Sequence, residues 1–154
     1  MTELDQNHVL LCTFRLGDHL LGIDVRDVQE ILRDAEITPI PHTHAAIAGL
    51  INLRGQIATT IDLRARLQMP RNAPDATSSH VVVSAGGEQV SLLVDRIGEV
   101  LEVGPELYEP PPVTMHPELA DLMIGTYKLE DELLVVVDVP KVVAITSTPE
   151  QEAA

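Results

Sequence analysis

Gly49-Leu50-Ile51-Asn52-Leu53-Arg54-Gly55-Gln56-Ile57, closed by Ile61-Asp62-Leu63, decides the reading of this chain. Residues 47–53 and 56–61 read as two arms of a hairpin folded about Arg54-Gly55. Asp62 then caps a short helix with the apolar pair Leu63 and Leu67, and Pro70 ends it. The design recurs. Gly125, Leu129, Leu133, Val137-Asp138-Val139 and Val143 keep the spacing of Gly49, Leu53, Ile57, Ile61-Asp62-Leu63 and Leu67. Upstream, Leu21-Gly22-Ile23-Asp24 precedes Val28-Gln29-Glu30-Ile31-Leu32, as Leu92-Leu93-Val94-Asp95 precedes Ile97-Gly98-Glu99-Val100-Leu101. An internal repeat implies two similar lobes of about four or five short strands each. Short strands with frequent turns favour small barrels, and closing a sheet removes its unpaired edges.

Outward from the hairpin, Leu10, Cys12, Phe14 and Leu16 alternate with Thr13 and Arg15, the pattern of a half-buried strand. Gly17-Asp18 is a turn and residues 20–23 return as a strand. Asp24 is placed to cap a helix, and Val25, Val28, Ile31 and Leu32 have helical spacing. Thr38-Pro39-Ile40-Pro41 stops that element. Residues 81–85 and 90–94 read as strands about Gly86-Gly87. Residues 105–117 hold three consecutive prolines, Pro110 to Pro112, and read as an extended crossing. A short helix is expected around 118–122, then a hairpin of 124–129 and 133–137, then a helix capped by Asp138 with Pro140 in its first turn. The organisation is a tail over residues 1–8, one domain over 9–146 and a second tail over 147–154. Within the domain, lobe one spans about 9–69, a linker 70–80 and lobe two about 81–146, with end elements free to cross between lobes.

The chain has 154 residues, and at that size roughly 70% of the unfolded surface can be buried. Aromatics are only 2%, so the core must come from Val, Leu, Ile and Ala. The single cysteine allows no internal disulfide, and residues 1–8 lack the features of a signal peptide. No run of about 18 apolar residues is present. A cytoplasmic protein without membrane insertion is expected. A net charge of −14 argues against nucleic acid and against anionic membrane surfaces, since both are bound by clustered Lys and Arg.

No constellation points to catalysis. Asp24, Asp62, Asp95 and Asp138 end apolar strands, but Asp24, Asp62 and Asp138 precede helical patterns and read as caps. His42 and His44 lack a third metal ligand at useful spacing; His8, His19, His80 and His116 read as solvated loop or terminal residues. Cys12 lies on an apolar strand face and reads as a core thiol. No nucleophile-elbow, phosphate-loop or dinucleotide motif appears. No cofactor, no metal and no enzymatic activity are expected. Arg54, at a hairpin tip in a cation-poor chain, is a candidate interface residue, and Glu30 is another.

These segments together resemble the CheW-like family over about residues 9–145. Phe14-Arg15-Leu16-Gly17, Gly22-Ile23-Asp24-Val25 and Val28-Gln29-Glu30-Ile31-Leu32 resemble its opening. The stretch from Gly49 to Ile57 with Ile61-Asp62-Leu63 resembles its most distinctive motif. Leu93-Val94-Asp95, Glu99-Val100-Leu101, Ile124-Gly125 and Val137-Asp138-Val139 complete it. The resemblance implies two SH3-like five-stranded β-barrels on a shared apolar core. It also implies an adaptor joining a CheA-type histidine kinase, through the kinase's own CheW-like domain, to the cytoplasmic tips of methyl-accepting chemoreceptors at membrane-associated arrays. By motif position, Val28, Glu30 and Arg54 would serve receptor binding and Gly49 kinase binding. Pro110–Pro112, Pro140 and the polar Ala58-Thr59-Thr60 depart from the family pattern. Alternatives are a scaffold in a pathway controlling pili or surface sensing, a small-molecule-binding barrel with an enclosed polar cavity, or a small hydrolase.

Overall fold

Both glycine-anchored hairpins form in the computed structural model, which describes residues 8–41, 44–70, 76–110 and 117–147. In the first half, β1 (Val9–Leu16) and β2 (His19–Asp24) form a hairpin, and β3 (Val28–Leu32) comes next. Then β4 (Ile47–Leu53) and β5 (Gln56–Asp62) fold about Arg54-Gly55 and lead into α1 (Leu63–Arg66). The second half repeats the series with β6 (Ser79–Ala85), β7 (Glu88–Val94) and β8 (Arg96–Val103). It continues with β9 (Tyr108–Glu109), α2 (Pro117–Ala120), β10 (Met123–Lys128), β11 (Leu133–Val137) and α3 (Val139–Val142). Asp62 accepts from the Arg64 and Ala65 N–H groups at the start of α1, and Asp138 accepts from the Lys141 N–H in α3. Both caps work as expected.

The strands make two sheets that mix the halves. One has the order β8-β1-β2-β11-β10-β9 and the other β3-β6-β7-β5-β4. Each half therefore donates its third strand to the other half's first hairpin. The closing contacts are parallel, β11 with β2 and β5 with β7. The two glycines that anchor the repeat share a job. A Cβ on Gly49 would strike the Thr38 carbonyl oxygen, and one on Gly125 would strike the Tyr108 ring. Each glycine lets a crossing segment lie directly on its hairpin, through the pairs Thr38–Leu50 and Glu109–Thr126.

Burial follows from the alternation. Phe14, Leu16, Leu21 and Ile23 of one sheet meet Ile61, Val81, Val83, Val90, Leu92 and Val94 of the other in one shared core. Leu63, Leu67, Val139 and Val142 of the helical segments close its margin. A separate apolar cluster of Leu11, Leu20, Val103, Leu134 and Val136 fills the first sheet's far side.

Three expectations are corrected. Residues 28–32 are strand, not helix; only Val25–Asp27 form a single 3-10 turn, capped by the Asp24 carboxylate through the Arg26 N–H. Burial on this strand alternates, but Glu30 takes a half-buried position and Ile31 an exposed one, so the strand's apolar spacing imitates a helical face. The crossing over 105–117 is more regular than expected: it holds a 3-10 turn, Pro105–Leu107, and the two-residue β9, which becomes a sixth strand of its sheet. Pro111 and Pro112 lie outside the described residues, as do His42, His116, residues 71–75 of the expected linker and most of both tails.

The third correction concerns His80. It is buried on β6, with Nδ1 2.8 Å from the Ser91 hydroxyl, because the strand begins at Ser79 inside the polar run read as linker. Thr60 and Ser91 pair across β5 and β7 and are fully buried, and the Thr60 hydroxyl has no hydrogen-bond partner. The second sheet's far side thus mixes these polar groups with buried Ile51, Leu53, Ala58 and Val82. Burial pushes the His80 pKa below its ordinary 6.5, and the Asp34 carboxylate opposes that shift. The folded chain therefore resists protonation that the unfolded chain accepts. Stability is fully present above about pH 6.5 and is lost as pH falls below it. Urea midpoints should decline from about pH 7 to about pH 5, and His80→Gln should flatten that slope. An equal slope in the variant would assign the effect elsewhere.

Candidate functional site

Arg54 occupies a left-handed backbone position with φ 57°, followed by Gly55 with φ 87°. This is the two-residue hairpin turn that favours Asn-Gly or Asp-Gly. The Asn52 side-chain oxygen accepts from the Gly55 N–H at 2.8 Å and fixes the loop. An arginine here costs about 1 kcal/mol relative to glycine. A locally unfavourable residue at an exposed tip points to a role outside folding.

The turn brings Arg54 to β3. Its Nη2 donates to Glu30 Oε2 at 3.0 Å. The Arg54 side chain is 80% exposed and that of Glu30 19%. Most guanidinium donors therefore face solvent above a sheltered carboxylate. A shallow open depression beside the pair is lined by Glu30, Leu53, Arg54, Gln56 and Gln89. Exposed Ile31 and Ile57 flank these elements. An apolar surface with a pre-positioned arginine is the composition of a protein-binding hot spot.

Glu30 and Arg54 are thus in contact. Val28 lies on the same strand but is half-buried and packs onto the shared core, beyond the register shift. Gly49 is buried and offers no surface of its own; it seats the segment at Ile37 and Thr38.

The aspartates that end strands all have structural employment. Asp24 pairs with Arg26 at 2.7 Å, and that hydrogen bond holds its pKa down. Asp95 accepts from Arg64 Nε at 3.0 Å and Nη2 at 2.5 Å, and from the Gly17 N–H at 2.6 Å. The Arg64 hydrogen bond is the main reason its pKa lies below the carboxylate range. Asp62 and Asp138 cap helices. Burial raises the Cys12 thiol pKa, the opposite of what a nucleophile needs. His44 Nδ1 accepts from the Ala46 N–H. Among the described residues no group of three His, Cys, Asp or Glu could hold a metal, and no helix is long and apolar enough to cross a membrane.

Comparison with known proteins decides the family. The model of the CheW-like domain matches residues 10–146. The chain belongs to the CheW-like family. A probable chemotaxis protein CheW from Rhizobium etli is 32% identical over 154 residues, covering 99% of this chain and 96% of that protein. Chemotaxis protein CheW from Klebsiella aerogenes is 31% identical over 131 residues, 85% of this chain and 79% of that protein. The crystal structure of the scaffolding protein TtCheW from Thermoanaerobacter tengcongensis superposes with a TM-score of 0.79 at 30% identity, covering 87% of this chain and 91% of that one. The two sheets are the SH3-like barrels of the CheW-like fold, one of them extended by β9.

Part of this CheW-like surface escapes sequence reasoning. Ile57 is legible as an outward position of β5, one residue before buried Ala58, but the pattern marks it only as a strand residue. Ile31, whose spacing suggests an apolar helix face, is instead 42% exposed. Gln89 comes from the other half of the chain, and no local signal ties it to Arg54.

Proposed function

We propose that this protein is a non-catalytic adaptor that couples a CheA-type histidine kinase to methyl-accepting chemoreceptors, and that binding is its whole activity. One observation carries the reading: Arg54, at a turn that disfavours it, is held by Glu30 close to exposed Ile31 and Ile57. That surface is the receptor socket, with Glu30 and Arg54 in contact with the receptor and Val28 setting β3 against the core. Gly49 belongs to the kinase-facing side, where it acts through the Ile37–Thr38 segment it seats. The relatives named as chemotaxis and scaffolding proteins support the same role. Receptor recruitment would bring the protein to membrane-associated arrays from the cytoplasm. Transient contacts of about 1,200–1,600 Å² each suit such a scaffold.

Reconstitution tests this. Kinase autophosphorylation is measured with receptor-bearing membranes, with and without the protein. Receptor-dependent stimulation should require it. Equal kinase activity in its absence would overturn the assignment.

A further inference from the structure

The chain has few cations, and most described arginines are occupied. Arg15, Arg26, Arg54 and Arg64 each hold a carboxylate, and Arg66 donates to the Lys141 and Val142 carbonyls. Two described arginines have no hydrogen bond or ion pair, Arg33 and Arg96, and both line the same cleft. The cleft has a volume of about 380 Å³. It opens where the end of β3, the start of β6 and the start of β8 meet, at the boundary of the two sheets. Thr77, Ser78 and Ser79 add hydroxyl groups to its wall.

In a protein with 24 acidic residues, two unpaired guanidinium groups facing one cleft are unexpected. Two carboxylates share that cleft. Asp95 is neutralised by its ion pair with Arg64 and accepts from the Gly17 N–H, and the nearby Arg96 charge adds a weaker attraction. Asp34 makes no ion pair and opposes the arginines. The local balance of Arg33, Arg96 and Asp34 is one positive charge. At physiological salt the screening length is about 8 Å, so this local charge governs what enters, not the distant net charge.

We propose that this cleft is a socket for an acidic side chain, a Glu or Asp carboxylate presented by a protein segment docked along the barrel boundary. A guanidinium fork accepts a carboxylate through two parallel hydrogen bonds, and the hydroxyls can donate to the remaining lone pairs. The open wall suits a side chain arriving on a segment. The socket starts at Arg33, about 10 Å along the chain direction from Glu30, within the footprint of one docked segment. The identity of that segment as a signalling partner rests on the adaptor reading; the carboxylate chemistry does not.

The test is an amide chemical-shift titration of the full chain at about 0.15 M salt with two probes, the peptide acetyl-Ala-Glu-Glu-Ala-amide and inorganic phosphate. The peptide should shift residues 77–79 and 96–97. The double variant Arg33→Gln, Arg96→Gln should weaken it by about tenfold or more, as expected for losing charge-assisted hydrogen bonds. Asp34→Asn should tighten binding by roughly two- to threefold, since it removes the opposing charge. Unaltered peptide affinity in the double variant would overturn the socket. Phosphate binding as tightly as the peptide would also overturn it, and would make the cleft a free-anion site. The titration contains no kinase or receptor, so its outcome is independent of whether coupling is observed in reconstitution.

Discussion

Arg54→Glu is expected to abolish receptor-dependent kinase stimulation while leaving the protein folded. The substitution replaces the exposed guanidinium with a carboxylate beside Glu30, and the existing ion pair becomes a repulsion. Loss of a hot-spot arginine costs on the order of 2 kcal/mol or more in binding, about 30-fold in affinity. The side chain is exposed at a turn, so its loss should move the melting temperature by only a few degrees. A companion variant separates binding from folding. Arg54→Asn suits the left-handed turn better and should be as stable as the parent or more so, by about 0.5 kcal/mol. Its receptor affinity should nevertheless fall. Pull-down against receptor membranes and thermal melts on the same samples decide the matter. Arg54→Glu protein that melts normally and still binds receptor would remove Arg54 from the site.

The second large effect concerns the shared core. Phe14, the sole phenylalanine, is fully buried among residues from both sheets. Phe14→Ala removes the largest side chain of that seam and should cost about 3–5 kcal/mol. For a chain of this size the melting temperature should fall by roughly 10 °C. The melt should stay a single transition with matching calorimetric and van't Hoff enthalpies, because the lost contacts belong to both sheets. Two separated transitions would contradict a common core.

Much of this is legible in the sequence because local chemistry is position-specific. Gly55 and the alternation around it set the β4–β5 hairpin, and Asp62 and Asp138 stop their strands by capping the helices α1 and α3. β3 is illegible for a local reason: Glu30 holds a half-buried position and Ile31 an exposed one, which leaves the apolar residues at helical intervals. His80 is easily misplaced because polar neighbours hide where a strand begins. The site itself is half legible. Arg54 and Glu30 are each marked by type and motif, but their contact depends on how β3 and the β4–β5 turn meet in space. Alternation locates strands without saying which strands pair. The exchange of β3 and β8 between halves therefore becomes visible only in the structure. The Ala58-Thr59-Thr60 departure also acquires a reason there, since Thr60 pairs with Ser91, whose hydroxyl meets buried His80.

That exchange also makes the molecule a spacer of fixed length. Drawing the barrels apart would mean opening the shared core and straining the two short links between the sheets, Val25–Asp27 from β2 to β3 and Asp95 from β7 to β8. Among the described residues, neither link between the sheets is long enough to serve as a hinge. Whatever grips one barrel stands at a set distance and angle from whatever grips the other, and a push on one is delivered to the other without slack.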